Sequence, residues 1–140
     1  MTAYLLDTNV ISEIRKSRPN QGVLEFLGTA PPPTVFLSVL TIGELHKGVE
    51  AKRRNDPDGA QRLSDWVETI EKDFADRIIP VDVTVSRRWG VLSAARSCPV
   101  IDTLIAATAL ERGLVLVTRN GRDVDFTGVT LLNPWTEMES

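Results

Sequence analysis

Short runs of apolar and β-branched residues alternate along this chain with longer segments of helical periodicity, and this alternation constrains the fold most. The runs typical of strands are residues 3–6, TVFLS at 34–38, RIIPVD at 77–82, LVLVT at 114–118 and VTLLN at 129–133. Strands separated by helices of about 10 to 15 residues form βαβ units, whose parallel sheet is covered by helices on both faces. We predict an α/β fold in one domain spanning residues 1–140.

The helical segments are recognised by apolar residues that recur every three or four positions. Ile42, Leu45 and Val49, for example, share one face. Pro19 ends the first helix, and the polar stretch NDPDG at 55–59 indicates a turn between two later ones. The predicted helices span 7–16, 21–28, 40–54, 60–74, 85–95 and 101–110.

The composition excludes several classes of protein. No apolar run approaches the roughly 20 residues that span a bilayer, and no charged leader precedes the first strand. The single Cys98 cannot form an intramolecular disulfide, which agrees with a reducing compartment. We therefore expect a cytoplasmic protein with no membrane partner. The net charge of −3 gives no overall sign of nucleic-acid binding.

Asp7 stands within the apolar stretch YLLDTNVIS at 4–12. A carboxylate in such surroundings is costly to bury unless a partner or a metal ion compensates for the lost hydration. Two interpretations remain open at this point. Asp7 either caps the helix that follows the first strand or belongs to a functional site.

Other acids follow the other predicted strands in the same way. We place Glu44 in the first turn of the helix after the second strand, where the helix dipole alone would favour an acid. Asp102 opens a helix within the otherwise apolar segment CPVIDTLIAATA, and Asp123 and Asp125 follow LVLVT. Ligands of parallel sheets bind beyond the carboxyl ends of the strands, so the pattern predicts that these acids meet at one edge.

Clustered carboxylates repel one another unless a divalent cation holds them. Mg²⁺ and Mn²⁺ prefer oxygen ligands, and the chemistry that uses such sites is phosphoryl transfer or phosphodiester hydrolysis. Other chemistries have little support. His46 is the only histidine and is expected to be solvated, and no glycine-rich phosphate loop is present. We interpret Trp66, Trp89 and Trp135 as packing residues rather than base-stacking platforms.

Five segments together resemble the PIN-domain ribonucleases, specifically the VapC-type toxins of bacterial type II toxin–antitoxin modules and their FitB-like subgroup. The segments are LLDTNVIS at 5–12, LSVLTIGELHKG at 37–48, PVIDTLIAATAL at 99–110, LVTRN at 116–120 and LLNPW at 131–135. They occur in the family's order and cover essentially the whole chain. The resemblance implies an α/β/α sandwich with a central parallel sheet of about five strands.

The resemblance also implies an activity and partners. VapC-like toxins are Mg²⁺- or Mn²⁺-dependent endoribonucleases that cut structured RNA such as tRNA or rRNA and so inhibit translation. A cognate VapB-type antitoxin blocks the site, the toxin is a homodimer, and larger assemblies form on operator DNA. Carried over by motif, Asp7, Glu44 and Asp102 are the catalytic acids and metal ligands, and Thr8 and Ser38 support them.

The fourth acid departs from the family pattern. Many PIN domains have TRD where this chain has TRN, so Asn120 occupies that position and is expected to support the site, because its carbonyl oxygen can still bind a metal or order a water. We expect Asp123 to replace the missing acid as catalytic residue and metal ligand, with Asp125 as the alternative. We also expect Arg119, Arg122 and Lys47 to contribute to RNA binding.

Two rival functions compete with the nuclease. One is a catalytically silent PIN-like partner that only binds nucleic acid in a toxin–antitoxin or operator complex. The retained acids Asp7, Glu44 and Asp102 argue against it. The other is a haloacid-dehalogenase-like phosphatase, which needs a second aspartate where this chain has Asn9.

Overall fold

A five-stranded parallel sheet between two layers of helices forms the framework of the protein in the computed structural model, which describes residues 1–136. The predicted α/β class and the sheet of about five strands are confirmed. The predicted single domain over residues 1–140 stays a prediction, since residues 137–140 lie outside the described residues.

The strands are short and lie in the order β3-β2-β1-β4-β5, with every neighbouring pair parallel. Tyr4 in β1 stands opposite Val35 in β2 and Val115 in β4, so β1 is the central strand. The strands are β1 (Tyr4–Leu6), β2 (Val35–Ser38), β3 (Ile78–Ile79), β4 (Val115–Val117) and β5 (Leu131–Leu132).

Successive side chains of the central strands point to opposite layers, which gives the protein two apolar cores. Leu6 and Val117 pack against helices of the first layer, and Leu5 and Leu116 pack against the second. The first layer contains α1 (Thr8–Ile14), α2 (Gln21–Thr29), α3 (Val39–Arg53) and α4 (Pro57–Asp73); α5 (Val83–Ala95) and α6 (Val100–Arg112) pack together on the other side.

Two helix boundaries differ from the sequence-based prediction in ways that matter for the site. Helix α4 begins at Pro57 rather than residue 60, because Asp56 caps it through Gly59 N at 2.9 Å and proline suits a first helical position. Helix α3 begins directly at Val39, so Glu44 lies in its second turn. Placing Glu44 in the first turn was therefore wrong, and the helix dipole does not explain this acid.

The order of the strands places a crevice at the centre of the sheet. The chain proceeds outward from β1 through β2 to β3 and then returns to the other side of β1 with β4. Strand order reverses at such a point, and the connections diverge there and leave a space beyond the carboxyl ends of the strands. Asp7 and Thr118 directly follow β1 and β4 and stand at this space. None of the helices within residues 1–136 has the length and apolar character that crossing a membrane requires.

Candidate metal centre at the carboxyl edge of the sheet

Asp7 is held by hydrogen bonds to both of its carboxylate oxygens. Its Oδ1 accepts from the backbone N–H of Thr8 at 2.8 Å, and its Oδ2 accepts from the hydroxyl of Thr118 at 2.7 Å. Asp7 is thus the N-cap of α1 and also part of a polar cluster, so the two interpretations of its sequence position are both realised. Burial raises the pKa of Asp7, the bonds from Thr118 and Thr8 oppose that rise, and the Glu44 carboxylate adds to it.

Thr8 connects the start of α1 to the second turn of α3. Its hydroxyl lies 2.6 Å from Oε1 of Glu44 and 3.0 Å from the hydroxyl of the fully buried Thr41. These contacts bring Glu44 towards the edge of the sheet although it lies a full turn into α3. The family-based expectation that Thr8 supports the acids therefore has a direct contact in the structure.

Asp102 approaches the same space from α6, where it lies in the first turn. Burial raises the pKa of its carboxyl, and the carboxylates of Asp7, Asp123 and Glu44 raise it further, in that order. The charges of all three acids therefore act on Asp102 at this edge of the sheet. Within the described residues no side chain donates a hydrogen bond to the Asp102 carboxylate.

The loop after β4 supplies the remaining candidates for the fourth position. Asp123 is exposed at the end of a short 3₁₀ turn, Gly121–Asp123, and its charge acts on Asp102. Asp125 has no such effect on Asp102. Asn120 donates its backbone N–H to the Thr118 hydroxyl at 3.1 Å, and its exposed side chain makes no hydrogen bond within residues 1–136.

The donor set suits a hard divalent cation. It consists of carboxylate and hydroxyl oxygens from α1, α3, α6 and the loop after β4, and its charges raise the pKa of Asp102, the effect a cation would reverse. No three acids, imidazoles or thiolates among residues 1–136 stand close enough together to enclose an ion by themselves. Mg²⁺ does not need such a cage, because it keeps several waters and binds through one or two carboxylates.

The other predicted site residues lie at varying distances from the acids. The buried Ser38 hydroxyl accepts from Leu40 N at 3.0 Å and so caps α3 rather than contacting a carboxylate. Arg119 holds its guanidinium 5.4 Å from the Trp135 ring centroid and lines a cleft with Lys16 and Arg18. Arg122 and Lys47 are exposed, and no contact within residues 1–136 joins either one to the acids.

Sequence reasoning missed Thr118 and Thr41 as members of the cluster. Thr118 is almost fully buried and bonds directly to Asp7, and Thr41 contacts Thr8. The rule that exposed the acids would also have found Thr118, since it is the first polar residue after β4. His46 is exposed as predicted, but its Nε2 lies 2.6 Å from Oε1 of Glu71 and links α3 to α4.

Comparison with known proteins identifies the family to which the chain belongs. The family model of the PIN domain matches residues 4–128. The VapC ribonuclease Y4jK of Sinorhizobium fredii is 34% identical, with 94% of this chain and 96% of the relative covered. Toxin FitB of Neisseria gonorrhoeae is 33% identical, with 94% and 97% covered. A solved structure of FitAB bound to an IR36 DNA fragment is 30% identical, with a TM-score of 0.85 over 97% of this chain and 98% of that one.

Proposed function

This chain belongs to the PIN-domain family, and from that premise we propose that it is a ribonuclease toxin of a VapBC-type toxin–antitoxin module. The finer proposal is an endoribonuclease that cuts structured RNA, tRNA or rRNA, and so inhibits translation. The observation that carries it is the hydrogen-bonded cluster of Asp7, Thr8, Glu44 and Thr118 at one edge of the sheet, beside Asp102, whose pKa is raised by burial and by the charges of Asp7, Asp123 and Glu44. Relatives named as a ribonuclease and a toxin over nearly the whole chain support the same activity.

We propose Mg²⁺ or Mn²⁺ as the cofactor. Asp7 and Asp102 would hold it, with Glu44 and Asp123 as further ligands, directly or through water. The bound ion would supply acidification of a water molecule and neutralisation of the charge that develops on the scissile phosphate.

The chain's own residues prepare that chemistry. Thr118 and the Thr8 N–H fix the orientation of the Asp7 carboxylate before any ligand arrives. Thr8 holds Glu44 at 2.6 Å, so this acid does not have to be ordered during the reaction. Without a cation, the same carboxylates repel a phosphodiester, so they would weaken binding of the scissile phosphate at the metal-free acids.

Basic residues around the acids would bind the RNA backbone. Arg119 follows Thr118 directly and is the best placed of the three predicted RNA-binding residues, while Arg122 and Lys47 are exposed and available. Removing one cation that binds a phosphate should lower the slope of log affinity against log salt by about 1. An unchanged slope in Arg119→Gln would remove that residue from the interface.

The partners proposed are the RNA substrate, a cognate VapB-type antitoxin and a second copy of the chain in a homodimer. A larger toxin–antitoxin assembly on operator DNA is also proposed, and the similar FitAB structure bound to DNA supports it.

RNA cleavage by the antitoxin-free protein tests the function. Total RNA is incubated with Mg²⁺ or Mn²⁺ and the wild type, Asp7→Asn or Asp76→Asn. Asp76 is the matched control, because it is an exposed acid before β3 and so lies at the opposite edge of the sheet. We expect discrete fragments from the wild type and Asp76→Asn, and none from Asp7→Asn or with EDTA. RNA binding without cleavage under any metal would favour the catalytically silent partner instead.

A further inference from the structure

A cleft of about 330 Å³ opens between α1, α3 and α4 and leads away from the carboxylates. Its lining includes Thr8 and Glu44 of the proposed metal centre and Trp66 of α4. The volume is within the range of about 300 to 1,000 Å³ that small-molecule sites occupy. The cleft can therefore take a group of nucleotide size beside the acids.

The cleft carries an excess of positive charge around an aromatic surface. Arg15, Lys16 and Lys52 line it, and the lining includes one acid, Glu44. Lys16 is paired with Glu13 at 2.8 Å, and Lys52 stands 3.9 Å from Asp56, whereas Arg15 makes no ion pair within residues 1–136. Two of the three cations are thus partly or fully available for an anion.

Trp66 combines a packed side with an accessible one. It packs partly against the core of the first helix layer, as the sequence predicted, yet it also lines the cleft. The guanidinium carbon of Arg15 lies 5.7 Å from the ring centroid, so a planar cation covers the indole. Arg15 is exposed and can leave this position when another planar group replaces it.

We infer that a base of an unpaired RNA segment stacks on Trp66 in the place of Arg15, while Arg15 and Lys52 bind the neighbouring phosphates. The inference rests on the proposed ribonuclease function and adds the form of the substrate. A base inside a duplex is stacked on both faces and paired along its edge, so only an unpaired nucleotide can present its face to an indole. The substrate is therefore single-stranded next to the phosphate that is cut, as in a loop of a folded RNA.

Binding in EDTA tests this subsite without cleavage. A fluorescently labelled RNA oligonucleotide is titrated with the protein as a single strand and as a duplex with its complement. Trp66→Leu keeps apolar volume but removes the ring, and Trp66→Phe keeps a ring. We expect the single strand to bind more tightly than the duplex, with a loss of about 5- to 100-fold in Trp66→Leu and a much smaller loss in Trp66→Phe.

The role of Arg15 is tested by comparing the same substitution at two exposed arginines. Arg15→Gln should weaken binding and lower the salt slope by about 1. Arg87→Gln, which removes an exposed arginine of α5 from a separate cleft beside Val91, should leave both unchanged. Equal losses in the two arginine variants would overturn the subsite, because they would report net charge alone.

The outcomes separate this inference from the proposed function. Full single-strand affinity in a folded Trp66→Leu, with RNA still cut by the wild type, would overturn the subsite and leave the nuclease intact. The subsite would also be overturned if Trp66→Leu lost affinity for an antitoxin polypeptide and none for RNA. Ring-dependent binding of the single strand, with no cleavage under any metal, would support the subsite and contradict the nuclease.

Discussion

The two halves of the carboxylate site are built differently. Asp7 and Glu44 are held by hydrogen bonds from Thr118, Thr8 and a backbone N–H at 2.6 to 2.8 Å. Asp102 and Asp123 receive no side-chain hydrogen bond within residues 1–136, and the pKa of Asp102 is raised by burial and by its acidic neighbours. The first half is ordered by the protein, and the second would be stabilised by the proposed cation.

The difference between the halves identifies Asp102 as the position where burial and charge repulsion reduce the stability of the folded protein. Hydroxyl groups can hold a carboxylate in place without neutralising its charge, so the ordered half still repels the other acids. The unsupported half carries that repulsion until a positive charge arrives. Variants that change one half and leave the other intact can therefore separate the two roles.

The largest effect is expected from removing a charge in the unsupported half. Asp102→Asn should lower RNA cleavage by about 10³-fold or more, because a metal ligand contributes several kcal/mol to the transition state. Cleavage rates at saturating Mn²⁺ measure it, with Asp76→Asn as control. Retention of more than a tenth of the activity would mean that the cation does not depend on this half.

Removing a hydroxyl in the ordered half should have a smaller effect. Thr118→Val takes away the donor to Asp7 and should reduce cleavage or metal affinity by about 10- to 100-fold. It should also reduce the free energy of unfolding by about 1–3 kcal/mol, because a buried acceptor loses its partner. Thr118→Ser restores the hydroxyl and is expected to recover most of both losses. If serine behaved like valine, a hydroxyl at this position would not restore the losses, and the bond to Asp7 could not account for them.

The next effect in order of size is the loss of cleavage on replacing the fourth acid. Asp123→Asn should reduce cleavage by about tenfold or more, since Asp123 is close enough to raise the pKa of Asp102. Asp125→Asn makes the same chemical change two residues on and should stay within about twofold of the wild type, as expected of a surface residue. If Asp125→Asn reduced cleavage more than Asp123→Asn, Asp125 rather than Asp123 would be the fourth acid.

The smallest effect concerns stability and pH in EDTA. The pKa of Asp102 is higher in the folded protein than in the unfolded chain, so the folded state binds more protons between the two values. Stability therefore falls as pH rises from about 4 through the folded pKa. Asp102→Asn removes that loss, so its advantage over the wild type in urea denaturation should grow between pH 4 and pH 7. A constant difference would mean that neither burial nor the neighbouring acids raise the pKa of Asp102.

Much of the fold and part of the site could be predicted from the sequence. Short apolar runs such as LVLVT identify buried strands, and the parallel order follows from the helices between them. Asp7 could be recognised as a site residue because burying a carboxylate within an apolar stretch is costly unless a partner or a metal ion compensates. The predicted turn between α3 and α4 is present but shorter than NDPDG, because Asp56 and Pro57 are as suitable for starting a helix as for a turn and α4 begins at Pro57.

What could not be predicted depends on contacts between distant parts of the chain. Thr118 reaches Asp7 across 111 residues, and Thr8 reaches Glu44 across 36. No local pattern marks a threonine as a donor to a particular acid. The turn of α3 that carries Glu44, by contrast, could have been counted from the sequence, because Glu44 lies past the first turn of about 3.6 residues whether the helix starts at residue 40 or at Val39.

Direct titration of Mn²⁺ into the antitoxin-free protein tests most directly whether these four acids form a divalent metal site. Calorimetry would compare the wild type, Asp102→Asn and the control Asp76→Asn at neutral pH. We predict binding by the wild type and the control, with an affinity at least about 10- to 100-fold lower in Asp102→Asn. Equal Mn²⁺ affinity in all three proteins would contradict the proposed metal site, because the acids would then meet at the edge of the sheet without holding a metal.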